Sequence, residues 1–185
     1  AMNLSEIKTA LASLVTAGDF ELERKAARLT ILCNLFLDHY GDGPVSLLRA
    51  PARMGVLGEH IDYVSYLPTA SLTFGSRERD ALMLYRKSPE PVVRCVSSSG
   101  KFEPSSFPIL GIPELRGDIE AEWLNFLFTY GTPAPHWQNY LNAAVTFARG
   151  KFGEQIQSGF DFVLDSDIPP GGGASSSSAL VVLGG

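Results

Sequence analysis

The sequence predicts an α+β fold. Two amphipathic helices come first, then a run of short strands, then two more helices and a strand. That order lacks the regular βαβ alternation of a doubly wound sheet. With 185 residues, 45% of them apolar and 19% charged, the chain suits one domain with a sizeable core. Such a composition excludes a disordered chain.

Ala1-Met2 reads as an appended pair ahead of the natural start. Behind Ser5, a candidate N-cap, Ile7, Leu11, Leu14 and Val15 recur at helical spacing. Asp19 and Glu21 open a second helix, whose apolar face runs from Leu22 through Leu29, Leu32 and Phe36 to about Tyr40; Gly41-Asp42-Gly43-Pro44 stops it. Residues 45–50, 54–57 and 66–74 read as short strands interrupted by Pro51 and by turn residues. Residues 81–86 and 91–96 read as a hairpin across Lys87-Ser88-Pro89-Glu90, and residues 97–117, rich in Ser, Gly and Pro, as loop. Asp118 caps a helix with Ile119, Trp123, Phe126, Leu127 and Tyr130 on one face. The next turns Trp137, Tyr140, Leu141, Ala144, Val145 and Ala148 inward and closes at Gly150. Phe160, Phe162 and Leu164 alternate with Asp161, Val163 and Asp165 as a half-buried strand would. Ala179 to Leu183 opens an apolar helix that ends almost as it begins, which predicts a chain cut in mid-fold.

Fifteen Lys and Arg against twenty Asp and Glu give a net charge of −5, without the general basic footprint of a nucleic-acid or anionic-membrane binder. No apolar run reaches the ~20 residues of a membrane span. Cys33 and Cys95 stand alone, without metal-like spacing or a disulfide framework, which predicts a reducing, cytoplasmic setting.

Two segments carry chemistry. In the first, Gly171-Gly172-Gly173 follows a strand, and Ser175-Ser176-Ser177-Ser178 then opens a helix. Glycines let the backbone approach a ligand, and free N–H groups at a helix start favour an anion, most often phosphate. No lysine follows, so the segment is not a Walker A loop, and the G-x-G-x-x-G spacing of a dinucleotide fold is missing too. Holding a nucleoside triphosphate without a lysine calls for a divalent ion, and serine hydroxyls suit Mg²⁺. The bland alternative, a flexible Gly/Ser linker, fits poorly between a strand and an apolar helix.

In the second, Arg53, Glu59, His60 and Asp62 lie within ten residues after a strand. Their acceptors and fixed donors match a polyol or sugar, against the alternatives of a solvated turn or a metal site lacking a second His or Cys.

Residues 49–63, Arg-Ala-Pro-Ala-Arg-Met-Gly-Val-Leu-Gly-Glu-His-Ile-Asp-Tyr, closely resemble the galactokinase signature A-P-G-R-x-N-x-I-G-E-H-x-D-Y. Pro169 to Leu180 resembles the P-x-G-x-G-L-S-S-S-A motif of the galacto-, homoserine, mevalonate and phosphomevalonate (GHMP) kinases, and residues 137–145 resemble the W-x-N-Y-x-x-G-V helix. The resemblance runs from about residue 29 to the end. It implies an N-terminal domain like domain 2 of ribosomal protein S5, completed in the family by a ferredoxin-like C-terminal domain that this chain lacks. It further implies transfer of the ATP γ-phosphate to a sugar hydroxyl, galactose first among acceptors. Arg53 then matches the residue stabilising transferred charge, and Glu59, His60 and Asp62 match those holding sugar hydroxyls. Gly171, Gly172, Gly173, Ser175 and Ser176 match the phosphate cradle, Ser176 or Ser177 the Mg²⁺ ligand, and Trp137 and Tyr140 aromatic positions near adenine. The family's general base and second Mg²⁺ ligand fall downstream of residue 185. Ala52 and Gly55 replace the family's Gly and Asn, and the turn over residues 63–68 is about two residues shorter. Two alternatives stand beside this one: a silent sugar and ATP sensor acting through a protein partner, and a GHMP kinase for a different small alcohol.

Overall fold

The computed structural model describes residues 2–14, 18–58, 66, 70–109, 117–131, 134, 136–169 and 175–185. Glu59, His60, Asp62, Gly171, Gly172 and Gly173 lie outside the described residues, as do Val15 and most of the turn over residues 63–68.

A two-residue strand, β1 (Met2–Asn3), leads into helix α1 (Leu4–Leu14). Met2 pairs with Val45 and Asn3 with Pro44 at the edge of the sheet. Ser5 lies inside α1 instead of capping it. Helix α2 (Phe20–Tyr40) forms as its sequence dictates. The Asp19 carboxylate accepts the N–H groups of Glu21 and Leu22 at 3.0 and 3.1 Å, and Gly41, at φ 76°, ends the helix.

The predicted short strands merge into two long ones, β2 (Pro44–Leu57) and β3 (Leu72–Lys87), which pair antiparallel. Pro51 does not break β2, because past Val45 the strand has β3 on one side only, and an edge beside a bulge tolerates a missing N–H. Pairing runs regularly to Pro51↔Asp80 and resumes at Arg53↔Gly75, so residues 76–79 bulge out opposite Ala52. Tyr66 belongs to a turn and not to a strand.

Strand β4 (Val92–Ser97) does not form the expected hairpin with β3. A later strand, β6 (Phe160–Ser166), inserts between them, antiparallel to β3 and parallel to β4. The expected loop 97–117 contains β5 (Ser105–Pro108), paired with β4. The sheet order is β1-β2-β3-β6-β4-β5. Because β6 is central, it is covered on both faces: Asp161, Phe162, Val163 and Leu164 are all buried, which corrects the half-buried reading.

Helices α3 (Ile119–Tyr130), α4 (Gln138–Phe152) and α5 (Ser176–Gly184) complete the fold, with a short 3-10 turn over Gly153–Gln155. Helix α4 runs through the buried Gly150 to Phe152, so Gly150 does not close it. Tyr140 is exposed, against the inward place its spacing suggested. The result is three layers. On one face α1 and α2 bury Leu4, Leu32 and Phe36 against Leu84 and Val163; on the other α4 and α5 bury Leu141, Val145, Ala179 and Leu183 against Ala50, Met83 and Phe162. Stacked Trp123 and Phe126, 5.5 Å apart, set α3 beside Phe147 of α4. Among the described residues, no helix is long and apolar enough to cross a membrane.

Candidate functional site

Helix α5 is the element that places the serine run. Its buried residues Ala179 and Leu183 join the same cluster as Ala50 and Ala52 of β2 and Leu141 of α4. Small side chains let these backbones come close. A Cβ on Gly184 would stand 3.0 Å from Ala144 Cβ and 3.2 Å from Leu141 Cα, so α4 and α5 are in contact at that point.

At the other end of α5, Ser175 takes a left-handed conformation (φ 56°, ψ 44°), and its hydroxyl makes no capping hydrogen bond. A non-glycine residue there is strained by about 1–3 kcal/mol, and such strain concentrates at ligand-gripping turns. Ser175 O accepts from Ala179 N at 3.1 Å, closing the first helical turn. The amides ahead of Ala179 have no carbonyl within the helix to receive them. With the half-buried hydroxyls of Ser175, Ser176 and Ser177, they make an end rich in donors at the positive pole of the helix. That chemistry suits phosphate oxygens. Among the described residues, no cluster of three or more His, Cys, Asp or Glu could hold a metal ion.

Arg53 lies on the outer part of the β2–β3 ribbon, opposite Gly75 and past the bulge, with its side chain exposed. Its neighbour Ala52 is 1% exposed and faces the core under α5, so the alanine that replaces the family glycine is a packing residue. Gly55 pairs with Thr73.

Trp137 stands just ahead of α4, half-buried, with Phe162 edge-on at 6.4 Å and Phe102 at 6.0 Å. Its buried Nε1 has no hydrogen-bond partner among the described residues. Trp137 is therefore packed at the margin of the core, whereas the Tyr140 ring is open on one side.

A polar network emerged that was not assigned from the sequence. Arg28 of α2 donates from Nε to Asp165 at 2.5 Å and from a terminal nitrogen to Asp80 at 2.6 Å. The other Asp80 oxygen accepts from Arg49 Nε of β2 at 2.6 Å. Asp80 is 1% exposed, so these partners are what keep a charge inside the fold. Asp167, just past β6, accepts from Arg24 at 2.5 Å and from the Asp80 N–H at 2.8 Å. Burial pushes the Asp167 pKa up, but the Asp80 N–H together with Arg24 and Arg28 outweighs it and holds the carboxyl below its ordinary value. A signal for the network existed: Arg28 shares one helical face with Leu32 and Phe36, and an arginine pointing inward needs a buried acid. Cys33 and Cys95 are buried and unpaired, and burial raises both thiols.

Comparison with known proteins places these features. Residues 139–185 match the GHMP kinases N terminal domain, which covers α4, β6 and α5. The serine-headed helix thus lies within the stretch that matches a GHMP kinase N-terminal domain. Residues 34–70 match the galactokinase galactose-binding signature. A galactokinase of Dictyostelium discoideum is 31% identical over 148 residues, 76% of this chain and 25% of that protein. One from Clostridium perfringens (strain ATCC 13124) is 30% identical over 156 residues, 84% of this chain and 35% of that protein. The crystal structure of Lactococcus lactis galactokinase complexed with galactose superposes with a TM-score of 0.57 at 25% identity, covering 81% of this chain and 34% of that one. The chain carries a match to the GHMP kinase N-terminal domain and a galactokinase galactose-binding signature, and is similar to galactokinases over the stretches compared. It spans 25% to 35% of the length of these relatives.

Proposed function

We propose that residues 1–185 form the N-terminal sugar- and ATP-binding domain of a longer enzyme that phosphorylates a sugar hydroxyl, converting galactose to galactose 1-phosphate at the expense of ATP. The observation that carries this reading is convergence. Helix α5, from the kinase-domain match, packs through Ala179 and Leu183 on the strand that bears Arg53, from the galactose-binding match.

In this reading the amides and hydroxyls of Gly171, Gly172, Gly173, Ser175 and Ser176 hold the triphosphate. Ser176 or Ser177 holds Mg²⁺, which when bound neutralises phosphate charge. Arg53 stabilises the charge that spreads over the transferred phosphoryl oxygens. Glu59, His60 and Asp62 accept the sugar's hydroxyl hydrogen bonds and orient the attacking one. Tyr140 and Trp137 border the adenine. The relatives' further length would supply the general base, so that the C-terminal portion of the same protein is the one macromolecular partner required. Two buried, unpaired thiols suit a reducing cytoplasm.

The test is transfer of labelled γ-phosphate by the full-length protein to a panel of hexoses. Galactose is expected to be the preferred acceptor, and Arg53→Ala to lower kcat by about 10²–10³ while leaving KM for ATP within a few-fold. Equal losses in both would recast Arg53 as a nucleotide clamp, and no galactose-dependent transfer would refute the proposal. The 185-residue chain alone should form no sugar phosphate, since losing a general base costs ~10²–10⁴ in rate.

A further inference from the structure

We propose that Asp80 is the hub of a positioning device that fixes the Arg53 ribbon and the approach to the glycine segment in one relation. The inference rests on the kinase reading above and names what holds its two halves in place.

The first tether runs to the ribbon. Between Pro51↔Asp80 and Arg53↔Gly75, the residues 76–79 leave the β2–β3 pairing, so the ladder alone does not define the direction of the outer ribbon. Side chains supply what the ladder lacks. Arg49 reaches the carbonyls of Ser76 and Arg77 at 3.1 and 3.2 Å while its Nε binds Asp80, and Arg24 reaches the carbonyl of Glu78. The bulge is thus held by the same arginines that neutralise the buried acids.

The second tether runs to the end of β6. Asp80 N–H donates to the Asp167 carboxylate at 2.8 Å, and Asp167 N–H donates back to Asp80 O at 3.2 Å. Asp167 also binds Arg24 at 2.5 Å and Arg28 at 3.2 Å. In sequence it stands four residues ahead of Gly171. Arg28, held between Asp80 and Asp165, anchors the whole to α2. One residue, Asp80, therefore joins the two strands, its carboxylate binding Arg49 of the strand that leads to Arg53 and its backbone binding Asp167 at the end of the strand that leads to the serine-headed helix. Phosphoryl transfer is sensitive to such a relation, because misplacing bound groups by about 1 Å can cost 10²-fold in rate.

The test uses two variants outside the site, Arg49→Gln and Asp167→Asn. Hydrogen exchange on the 185-residue chain should speed up in 53–57/72–75 and in 166–168 and 175–179 for each variant, while 81–87 stays protected. If each variant loosens only its own neighbourhood, or neither loosens anything, the coupling is refuted. In the full-length enzyme, each should lower kcat about tenfold with KM for both substrates within about threefold, the signature of lost alignment. An unchanged kcat would overturn the positioning role. A wild type that transfers no phosphate would refute the kinase reading, and the exchange result would still decide the coupling. Should Arg49→Gln fail to fold, Asp167→Asn carries the same measurements from the other tether.

Discussion

Arg28 occupies a position where its neighbours four and eight residues on, Leu32 and Phe36, are fully buried. It is tolerated there because Asp80 and Asp165 meet it at 2.6 and 2.5 Å. Burial works against its charge, yet those hydrogen bonds prevail and raise its pKa above the ordinary arginine value. Removing one member of such a group leaves the others uncompensated. Asp80→Ala should therefore cost about 3–5 kcal/mol of stability, read from denaturant midpoints. Arg49→Ala should cost much less, since its side chain is 41% exposed and solvent screens it. Asp167 gives a pH signature. Its folded pKa is lowered, so its contribution is present above the unfolded value and is lost as pH falls through the folded one. Acid titration from pH 5 downward, to below about pH 3, should show wild-type stability falling more steeply than that of Asp167→Asn. Parallel acid limbs would contradict this assignment. At this scale the sequence motifs pointed to Arg53 and the serines as candidates and gave no sign of Asp80 or Asp167. A motif marks chemistry, whereas Asp80 and Asp167 stand 87 residues apart and become partners only through sheet pairing.

The helices were legible because their signals are local. Asp19 caps α2, Gly41 ends it, and the spacing of Leu32 and Phe36 shows its inward face. Strand order was not legible. The hairpin expected between residues 81–86 and 91–96 has plausible turn residues, but Phe160 to Ser166 displaces it by pairing with both strands. That choice is made by burial on two faces, which no single segment records. Gly159 is where the choice is enforced. Its N–H donates to Glu90 O at 2.7 Å, and a Cβ there would stand 1.9 Å from Val92 O. Gly159→Ala should thus destabilise by about 1–3 kcal/mol or more, since the backbones of β4 and the approach to β6 must part. Thermal unfolding checks this, and an unchanged midpoint would show that the strand entry is not tightly packed. The long β2–β3 ribbon was misread as fragments because Pro51 and the polar residues 76–79 resemble turns; they form an edge and a bulge instead.

For the molecule as a whole, the α+β class followed from the order of the elements, and the three-layer stack shows why that order serves the proposed site. Two segments more than 100 residues apart in sequence meet where α5 lies on β2, and small residues, Ala50, Ala52 and Ala179, allow the approach. Enlarging one of them should separate the helix from the strand, so the alanines matter to the site as well as to the core. The central claim is that the amino end of α5 takes the phosphates of a nucleotide beside this ribbon. The most direct test is an amide NMR titration of the chain with Mg²⁺ and a non-hydrolysable ATP analogue. The account predicts that the largest shifts fall on Ser175, Ser176, Ser177 and Ser178 and weaken in Ser176→Ala. Saturating nucleotide that leaves these amides unmoved, or moves only residues far from α5, would contradict it.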